Sequence, residues 1–163
     1  MDKVINYIGI DNGISGGITV LSSQSLIISK MTMPTQKTRK GNEVDVMAVK
    51  LFLRNSSPDH FTFVLEEPGG SKSARAAASM AGSFGRLHAL AVLIGYRFIR
   101  ITPQAWQSDM LKCKAGDTKA AAKSLCHELW PDEDWLETPR CTTEHDGLHD
   151  SALIGEWARR HNL

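Results

Sequence analysis

VINYIGIDNGISGGITVL, residues 4–21, is the stretch that determines how the rest of the sequence is interpreted. Residues 4–10 are rich in β-branched side chains and predict a buried strand, which ends where Asp11 precedes a turn. A Gly-Gly pair then leads into a second short strand over residues 18–21. Two short strands joined by a tight turn predict an antiparallel pair at the start of the fold.

The remaining elements follow from hydrophobic periodicity and turn residues. A third strand is predicted over residues 26–33, and it completes an antiparallel meander with the first two. Further strands are predicted over residues 61–66 and 97–101, and helices over residues 44–54, 71–94 (interrupted near Gly82 and Gly85), 103–111, 118–129 and 146–160. Residues 37–41 are interpreted as a basic loop and residues 131–143 as an acidic loop. The order predicts an α/β fold, a mixed five-stranded sheet with three antiparallel strands and then parallel strands, flanked by helices.

The composition fits one globular domain spanning residues 1–163. An apolar fraction of 42% and a charged fraction of 23% exclude disorder, collagen and coiled coil as descriptions of the whole chain. No apolar run approaches the roughly 18 residues that a membrane helix needs, so no membrane association is expected. The three cysteines, Cys113, Cys126 and Cys141, are too few for a disulfide framework and predict free thiols in a reducing cytoplasm.

The charge is unevenly distributed although the net charge is only +1. Residues 30–123 contain 15 Lys and Arg against 7 Asp and Glu, whereas residues 128–156 contain only Arg140 against 9 acidic residues. This asymmetry indicates a basic face for a polyanion and a separate acidic zone. Ordinary solvated helix faces are the alternative interpretation.

Carboxylates stand at the ends of two predicted strands and on the last predicted helix. They are Asp11 after the first strand, Glu66 and Glu67 at the end of the fourth, and Asp146 and Asp150, four residues apart on one helix face. Burying acidic side chains together is costly unless a cation neutralises them. Hard oxygen ligands favour Mg²⁺ or Mn²⁺, and two such ions about 3.5–4 Å apart can activate a water for phosphodiester cleavage. Each acid taken alone is equally explained as a turn residue, a helix cap or a solvated surface group.

These motifs resemble the RuvC-like Holliday junction resolvases of the RNase H-like superfamily, in particular their phage and organellar branch. The resemblance covers nearly the whole chain. IGIDNGISGGI (8–18) resembles the family's first strand and VLEEP (64–68) its fourth-strand motif. Residues 73–107 resemble its long helix, its next strand and the Pro-x-x-Trp element after it, and HDGLHDSALIGEWA (145–158) resembles its terminal helix.

The resemblance implies metal-dependent phosphodiester hydrolysis with two Mg²⁺ ions per active site, or Mn²⁺ in their place. The catalytic metal ligands that it implies are Asp11, Glu66, Asp146 and Asp150. Glu66 is preferred to Glu67 because the family's ligand follows two apolar residues. Many bacterial members space the last two ligands three residues apart, whereas here the spacing is four. His149 is therefore a further candidate, as a ligand or a proton shuttle.

The resemblance also implies a homodimer that makes paired nicks in four-way DNA junctions during recombination and repair, in a bacterial or phage-infected cytoplasm. The Ala-rich helix over residues 71–94 is the natural dimer element, with an ordinary core helix as the alternative. Branched DNA is held mainly through its phosphates, which requires Lys and Arg around the site. The candidates are Lys37, Arg39, Lys40, Lys72, Arg75, Arg86, Lys112, Lys114, Lys119 and Lys123, each of which could instead be a solvated side chain.

Three other functions fit parts of the pattern. A different nuclease on the same fold, such as an RNA–DNA hybrid ribonuclease, would use the same carboxylates. A fragment of an actin-like ATPase could explain the turn after Asp11, although 163 residues are too few for that two-domain fold. A non-catalytic protein that binds branched DNA would need the basic face only, and the complete carboxylate set argues against it.

Overall fold

The structure, a computed structural model, describes residues 5–56, 60–70, 73–112 and 116–163. Its strands are β1 (Asn6–Asp11), β2 (Gly17–Leu21), β3 (Ile27–Thr32), β4 (Thr35–Thr38), β5 (Gly41–Val44), β6 (Phe61–Glu66) and β7 (Arg97–Ile101). Its helices are α1 (Val46–Ser56), α2 (Ala74–Ile94), α3 (Pro103–Met110), α4 (Thr118–Leu129) and α5 (Asp146–Arg160). The five strands and five helices predicted from the sequence are all present, with ends that move by a few residues.

Five strands form one mixed sheet in the order β3-β2-β1-β6-β7. The first three strands are antiparallel neighbours, as the tight turns between them predict. β6 runs parallel to β1 on one side and to β7 on the other, so the carboxyl ends of β1, β6 and β7 meet at one edge of the sheet. This arrangement confirms the predicted α/β fold with a mixed five-stranded sheet.

The sheet is covered on both faces, because side chains that alternate along each strand enter two separate cores. Ile8, Ile10 and Phe63 point to the face that α1 and α2 cover. Tyr7 and Val64, on the same two strands, point to the opposite face, which is covered by α3, α4 and α5. The molecule is therefore a three-layer sandwich of helices, sheet and helices.

Helix α5 lies unusually close to the sheet. A Cβ atom on Gly9 of β1 would clash with the carbonyl oxygen of Ser151 and the backbone nitrogen of Gly155, and one on Gly147 would clash with the backbone of Gly16. The hydroxyl groups of Thr19 and Ser151 add a buried hydrogen bond of 2.8 Å. Gly147, Ser151 and Gly155 recur every four residues, so they form one small-residue stripe along which α5 contacts β1 and β2.

A β-hairpin replaces the basic loop that the sequence predicts over residues 37–41. Strands β4 and β5 pair from Thr35–Val44 to Thr38–Gly41, and the turn between them carries Arg39 and Lys40. Gly41 has a φ of 125°, a conformation that non-glycine residues rarely adopt. The hairpin side chains are mostly exposed, so no alternation of buried and exposed residues marked them as strands.

Two helices also differ from the prediction. α1 begins at Val46 rather than at residue 44, because Asp45 caps it by accepting hydrogen bonds from the N–H groups of Met47 and Ala48. α2 continues through Gly82 and Gly85 without the predicted interruption. Glycine costs about 1 kcal/mol in a helix, and the apolar contacts of Leu87 and its neighbours with the sheet hold the helix together.

Helix α2 is also, among the described residues, the one helix whose length and composition would permit a membrane span. The mean hydropathy of its most apolar 18-residue window is 1.3. Core helices of soluble proteins meet the same criterion, and Ser83, Leu87, Leu90 and Ala91 of α2 pack towards the sheet. The expected absence of membrane association stays a prediction.

Candidate active site

Asp11 and Glu66 end two neighbouring parallel strands. The register pairs Ile10 of β1 with Leu65 of β6, so the acidic residue that follows each of them lies at the same level of the sheet. Adjacent strands are about 4.8 Å apart, and the two carboxylates therefore face one small volume at the carboxyl edge. Ligand sites in open α/β sheets form at this edge.

Helix α5 brings Asp150 to the same place. Asp150 precedes Ser151, whose hydroxyl and carbonyl groups contact β2 and β1, so the close packing of α5 fixes the position of this acid over the strands. The charges of Asp11 and Asp150 act on each other, and both act on Glu66. The structure thus brings together three of the four acids that the sequence singled out.

The shared environment disfavours the ionised form of all three acids. Burial raises the pKa of Glu66 to about 8, and the charge of Asp11 acts in the same direction. Burial, together with the charges of Asp11 and Asp146, raises the pKa of Asp150 to about 7. Burial also raises the pKa of Asp11, although the N–H of Gly13 donates a hydrogen bond of 3.2 Å to its Oδ1 and opposes the shift. Groups with such raised pKa values in one cluster are typical of functional sites.

The fourth acid, Asp146, lies at the exposed rim of this cluster. Its Oδ2 accepts a hydrogen bond of 2.6 Å from Lys119 on α4, and this contact raises the pKa of the lysine. The charge of Lys119 also acts on Asp11 and Asp150. The ammonium group of Lys119 therefore lies beside the carboxylates, at the boundary with solvent.

Two residues that the sequence analysis did not assign to the site hold Glu66 in place. The buried indole of Trp106 on α3 donates a hydrogen bond of 2.7 Å from Nε1 to Glu66 Oε1. The side chain of Asn12 donates one of 2.7 Å to the carbonyl oxygen of Glu66. The Pro-x-x-Trp pattern identified the tryptophan as a recurrent element, but nothing in the sequence indicated which polar group its N–H would meet.

His149 lies one position from Asp150 but faces another direction. It is 1% exposed and packs against Trp135 with ring centroids 5.1 Å apart. Its Nε2 is 3.1 Å from Glu144 Oε2. Burial lowers the pKa of His149, and the neighbouring Glu144 partly opposes this. The structure places His149 between α4 and the loop before α5. This position does not test its assignment as a metal ligand or proton shuttle, which stays a prediction.

The predicted DNA-contacting cations divide into three sets. Lys37, Arg39 and Lys40 are exposed on the hairpin, Arg75 is exposed at the start of α2, and Lys112 is exposed after α3. Arg86, Lys119 and Lys123 are each paired with an acid, at 2.7 Å from Glu43, 2.6 Å from Asp146 and 3.3 Å from Glu144 respectively. Lys72 and Lys114 lie outside the described residues.

The chemistry of the site fits a hard divalent cation. The clustered donors are carboxylate oxygens, which Mg²⁺ and Mn²⁺ prefer, and a cation would offset the repulsion that raises their pKa values. The buried Oδ1 of Asn12 also lacks a hydrogen-bond partner. Within the described ranges, no three His, Cys, Asp or Glu side chains form a ready-made metal cluster. The residues thus suit a metal by type and position, and their side chains would need to turn towards it.

The fold of the whole chain is similar to that of solved RuvC structures. No protein-family model matches the chain, and no curated protein matches it. The structure of Thermus thermophilus RuvC in complex with Holliday junction substrate matches with a TM-score of 0.61 and 15% sequence identity, over 97% of this chain and 96% of that chain. A second Thermus thermophilus RuvC structure matches with a TM-score of 0.59 and 14% identity, over 96% of each chain. With the topology described above, these matches show that the chain has a RuvC-like fold.

Proposed function

We propose that this protein is a metal-dependent DNA endonuclease that resolves four-way junctions. The observation that carries the proposal is the convergence of Asp11, Glu66 and Asp150 at the carboxyl edge of a RuvC-like sheet. Ionising these acids together is unfavourable for the fold, because burial and their mutual repulsion raise their pKa values. They are explained if the site binds a cation and a reacting phosphodiester.

The metal would be held by Asp11, Glu66 and Asp150, with Asp146 joining from the rim. When bound, a pair of Mg²⁺ ions supplies an activated water and charge stabilisation for the leaving oxygen of a phosphodiester. Mn²⁺ suits the same oxygen donors. Because the carboxylates bind metal in their ionised form, their raised pKa values imply that metal loading weakens as the pH falls.

Neighbouring groups of the protein orient the carboxylates and place a positive charge at the entrance of the site. Trp106 donates its indole N–H to one oxygen of Glu66, which restrains the carboxylate and leaves its other oxygen for a metal. The N–H of Gly13 does the same for Asp11. Lys119 provides a positive charge at the entrance, where a phosphate approaches, and Asp146 holds its Nζ in place until then.

Branched DNA is the substrate that the comparison favours, since one RuvC neighbour is in complex with a Holliday junction. The chain's exposed cations support a polyanionic substrate. Lys40 and Arg75 line the cavities that extend from Asp11 along α2. Lys37 and Arg39 are exposed on the same hairpin as Lys40. They would contact phosphates and position the DNA without reading its sequence.

We further propose a homodimer built on α2. Its outer face exposes apolar side chains, with Leu93 85% exposed and Val92 60% exposed. Met47 and Leu51 of α1 are 61% and 46% exposed, and α1 packs beside α2, so they extend this surface. Exposed apolar groups that cluster in this way favour contact with another protein surface. Two copies are also what paired nicks on two strands require.

The direct test is cleavage of a synthetic immobile four-way junction in the presence of Mg²⁺. A linear duplex of the same sequence and an RNA–DNA hybrid serve as competing substrates, and the Asp11→Asn variant serves as the inactive control. We expect paired, symmetrically placed nicks in the junction alone, and none from the variant. Cleavage of the hybrid in preference to the junction would instead identify a ribonuclease. Junction binding without cleavage at any metal concentration would identify a structural DNA-binding protein.

A further inference from the structure

A surface channel runs from the carboxylate cluster along the first half of α2. Its inner part, a cavity of about 530 Å³, lies between Asp11, the loop after β1 and the start of α2. Its outer part, a cavity of about 450 Å³, lies between α2 and strand β5 of the hairpin. Both parts are lined by Ile14, Arg75 and Ser79, so they are continuous. We refer to this feature as the hairpin channel.

The charged groups of the hairpin channel suit a chain of phosphates. Its outer part is lined by the cations Lys40, Arg75 and Arg86 and by one acid, Glu43. Arg86 lies 2.7 Å from Glu43, so each offsets the charge of the other. The positive charges of Lys40 and Arg75 are left to act on a ligand. Arg39 adds a further exposed cation at the hairpin turn.

Arg75 stands where the two parts of the channel meet. Its Nη2 donates a hydrogen bond of 3.4 Å to the carbonyl oxygen of Lys40, which ties the start of α2 to the hairpin turn. A guanidinium group has five N–H donors. This contact uses one of them, and the planar group can still pair with a phosphate.

The shape of the channel suits an extended polymer rather than a small molecule. The helix rise of 1.5 Å per residue places Arg75 and Arg86 about 16 Å apart along α2, which is enough for several nucleotides. Small side chains keep the floor low, including Ala78, Ser79 and Gly82. A Cβ atom on Gly82 would approach Arg86 Nη1 to 3.3 Å, so a larger residue there would begin to fill the channel.

We propose that the hairpin channel holds the sugar–phosphate backbone of the strand that is cut, on one side of the scissile phosphate. Lys40 and Arg75 contact successive phosphates, and the Arg86–Glu43 pair anchors the hairpin against α2 at the outer end. This inference rests on the proposed nuclease function, because it assigns a path to the substrate of that site. The hairpin is then a DNA-guiding element as well as a surface appendage.

The test combines charge removal on the protein with charge removal on the DNA. Junction binding is measured over a range of salt concentrations for the full-length protein and for Arg75→Gln, Lys40→Gln and a control, Arg97→Gln. Arg97 is an exposed cation at the start of β7, the end of that strand opposite the carboxylate edge. All proteins carry Asp11→Asn so that binding is measured without cleavage, and thermal unfolding verifies that each is folded.

The junctions carry one uncharged methylphosphonate linkage at a time, on either side of the cleavage position. We expect the slope of log affinity against log salt to become shallower by about one for each of the two channel variants and to stay unchanged for Arg97→Gln. Methylphosphonate linkages on one side of the cleavage position should weaken junction binding by the protein that has no substitution in the channel. At one of those linkages, the effect should disappear in Arg75→Gln, because the contact is already lost.

The outcomes separate the channel from the nuclease function. If the parent protein cuts junctions but the channel variants bind like Arg97→Gln, the channel proposal is wrong and the nuclease function stands. If junctions are never cut but the salt slopes of the channel variants change as described, the channel still binds phosphates, whereas the nuclease function and the assignment to a cut strand both fall. If methylphosphonates weaken binding equally on both sides in every variant, the assigned path is wrong.

Discussion

Trp106 on α3 donates its indole N–H to Glu66, one of the three clustered carboxylates. An indole N–H that reaches a clustered carboxylate orients that carboxylate, as outer hydrogen bonds do for metal ligands. We expect Trp106→Phe to raise the Mg²⁺ concentration needed for half-maximal cleavage by about 10-fold or more, the usual size of such effects. The measurement is a Mg²⁺ titration of junction cleavage.

The matched control for this change is Trp130→Phe. Trp130 is also buried, and its Nε1 donates a hydrogen bond of 2.6 Å to the carbonyl oxygen of Ser25, away from the carboxylates. Both variants should lose stability through a lost bond and a small cavity, but only Trp106→Phe should change the metal requirement. Equal Mg²⁺ titrations for the two variants would mean that Trp106 is a packing residue alone.

Glu156 illustrates an ion-pair network that belongs to the fold rather than to the site. It is 1% exposed and accepts hydrogen bonds from Arg159, Arg160 and Ser25. Burial opposes ionisation, but these bonds outweigh it and hold the pKa of Glu156 below its ordinary value. A depressed pKa stabilises the fold above the pKa of the unfolded chain and loses that effect as the pH falls through the folded value.

We therefore expect Glu156→Gln to be clearly less stable than the parent protein at pH 7. The difference should shrink as the pH falls below the ordinary glutamate pKa of 4.5. The measurement is the free energy of unfolding by denaturant at pH values between about 3 and about 7. Glu128→Gln, at an exposed position, is the control. A difference that grew on acidification would show that the network does not favour the ionised acid.

At the scale of elements, the contact between α5 and the sheet fixes the site. Gly9 on β1 permits the Ser151–Gly155 segment to touch the strand, and Asp150 precedes that segment. We expect Gly9→Ala to destabilise the protein by about 1–3 kcal/mol, the usual cost of overpacking, because the clash is with backbone atoms that cannot rotate away. Cleavage should fall by more than the folded fraction does, since α5 is displaced.

Gly70→Ala is the control for this substitution. A Cβ atom at Gly70 meets nothing within 4 Å, so its replacement should leave both the unfolding free energy and cleavage close to those of the parent. The measurement is thermal unfolding together with the cleavage rate per folded molecule. If Gly9→Ala were as stable and active as Gly70→Ala, the close contact would not be what positions Asp150.

The strands and helices also show which parts of the secondary structure could be predicted from the sequence. The predicted strand over residues 61–66 and the last two helices match the observed bounds, because apolar periodicity and turn residues mark them clearly. Strands β4 and β5 escaped prediction because their exposed side chains carry no alternation of burial. The start of α1 was predictable, since Asp45 is a standard N-cap residue that the apolar pattern alone did not consider.

The candidate site also has features that could be predicted from the sequence and features that could not. The proximity of Asp11 and Glu66 was predictable, because each ends a strong apolar strand and parallel strands share their carboxyl edge. The Trp106–Glu66 hydrogen bond was not predictable, because it joins α3 to β6 across the fold. The same holds for the contact between α5 and Gly9, since pairs of small residues far apart in sequence give no local signal.

At the scale of the whole molecule, the apolar surface on α2 and α1 leads to an expectation about assembly. Leu93→Glu places a charge at the most exposed position of this surface and should convert a dimer into a monomer with the 18.0 kDa mass of one chain. Leu26→Glu is the control, because Leu26 is 61% exposed but precedes β3 at the other edge of the sheet. Sedimentation velocity measures both.

If the parent protein sedimented as a monomer at the concentrations used for cleavage, the proposed dimer would be wrong. If Leu26→Glu rather than Leu93→Glu dissociated the dimer, the interface would lie on the β3 side of the molecule. A dimer that dissociates in Leu93→Glu should also lose the coordination of its two nicks, while single nicks persist. Paired and single nicks are distinguished on a supercoiled plasmid that carries an extruded cruciform.

The most direct test of the central claim is single-turnover junction cleavage by four variants of the carboxyl edge, with binding measured in parallel. We expect Asp11→Asn, Glu66→Gln and Asp150→Asn each to slow cleavage by about 100-fold or more while keeping junction affinity, because they act on transition-state charge. Glu67→Gln, one residue from Glu66 and 3.8 Å from Arg100, should cut like the parent. If cleavage survived in the first three variants, or were lost equally in Glu67→Gln, the three acids would not form the catalytic site.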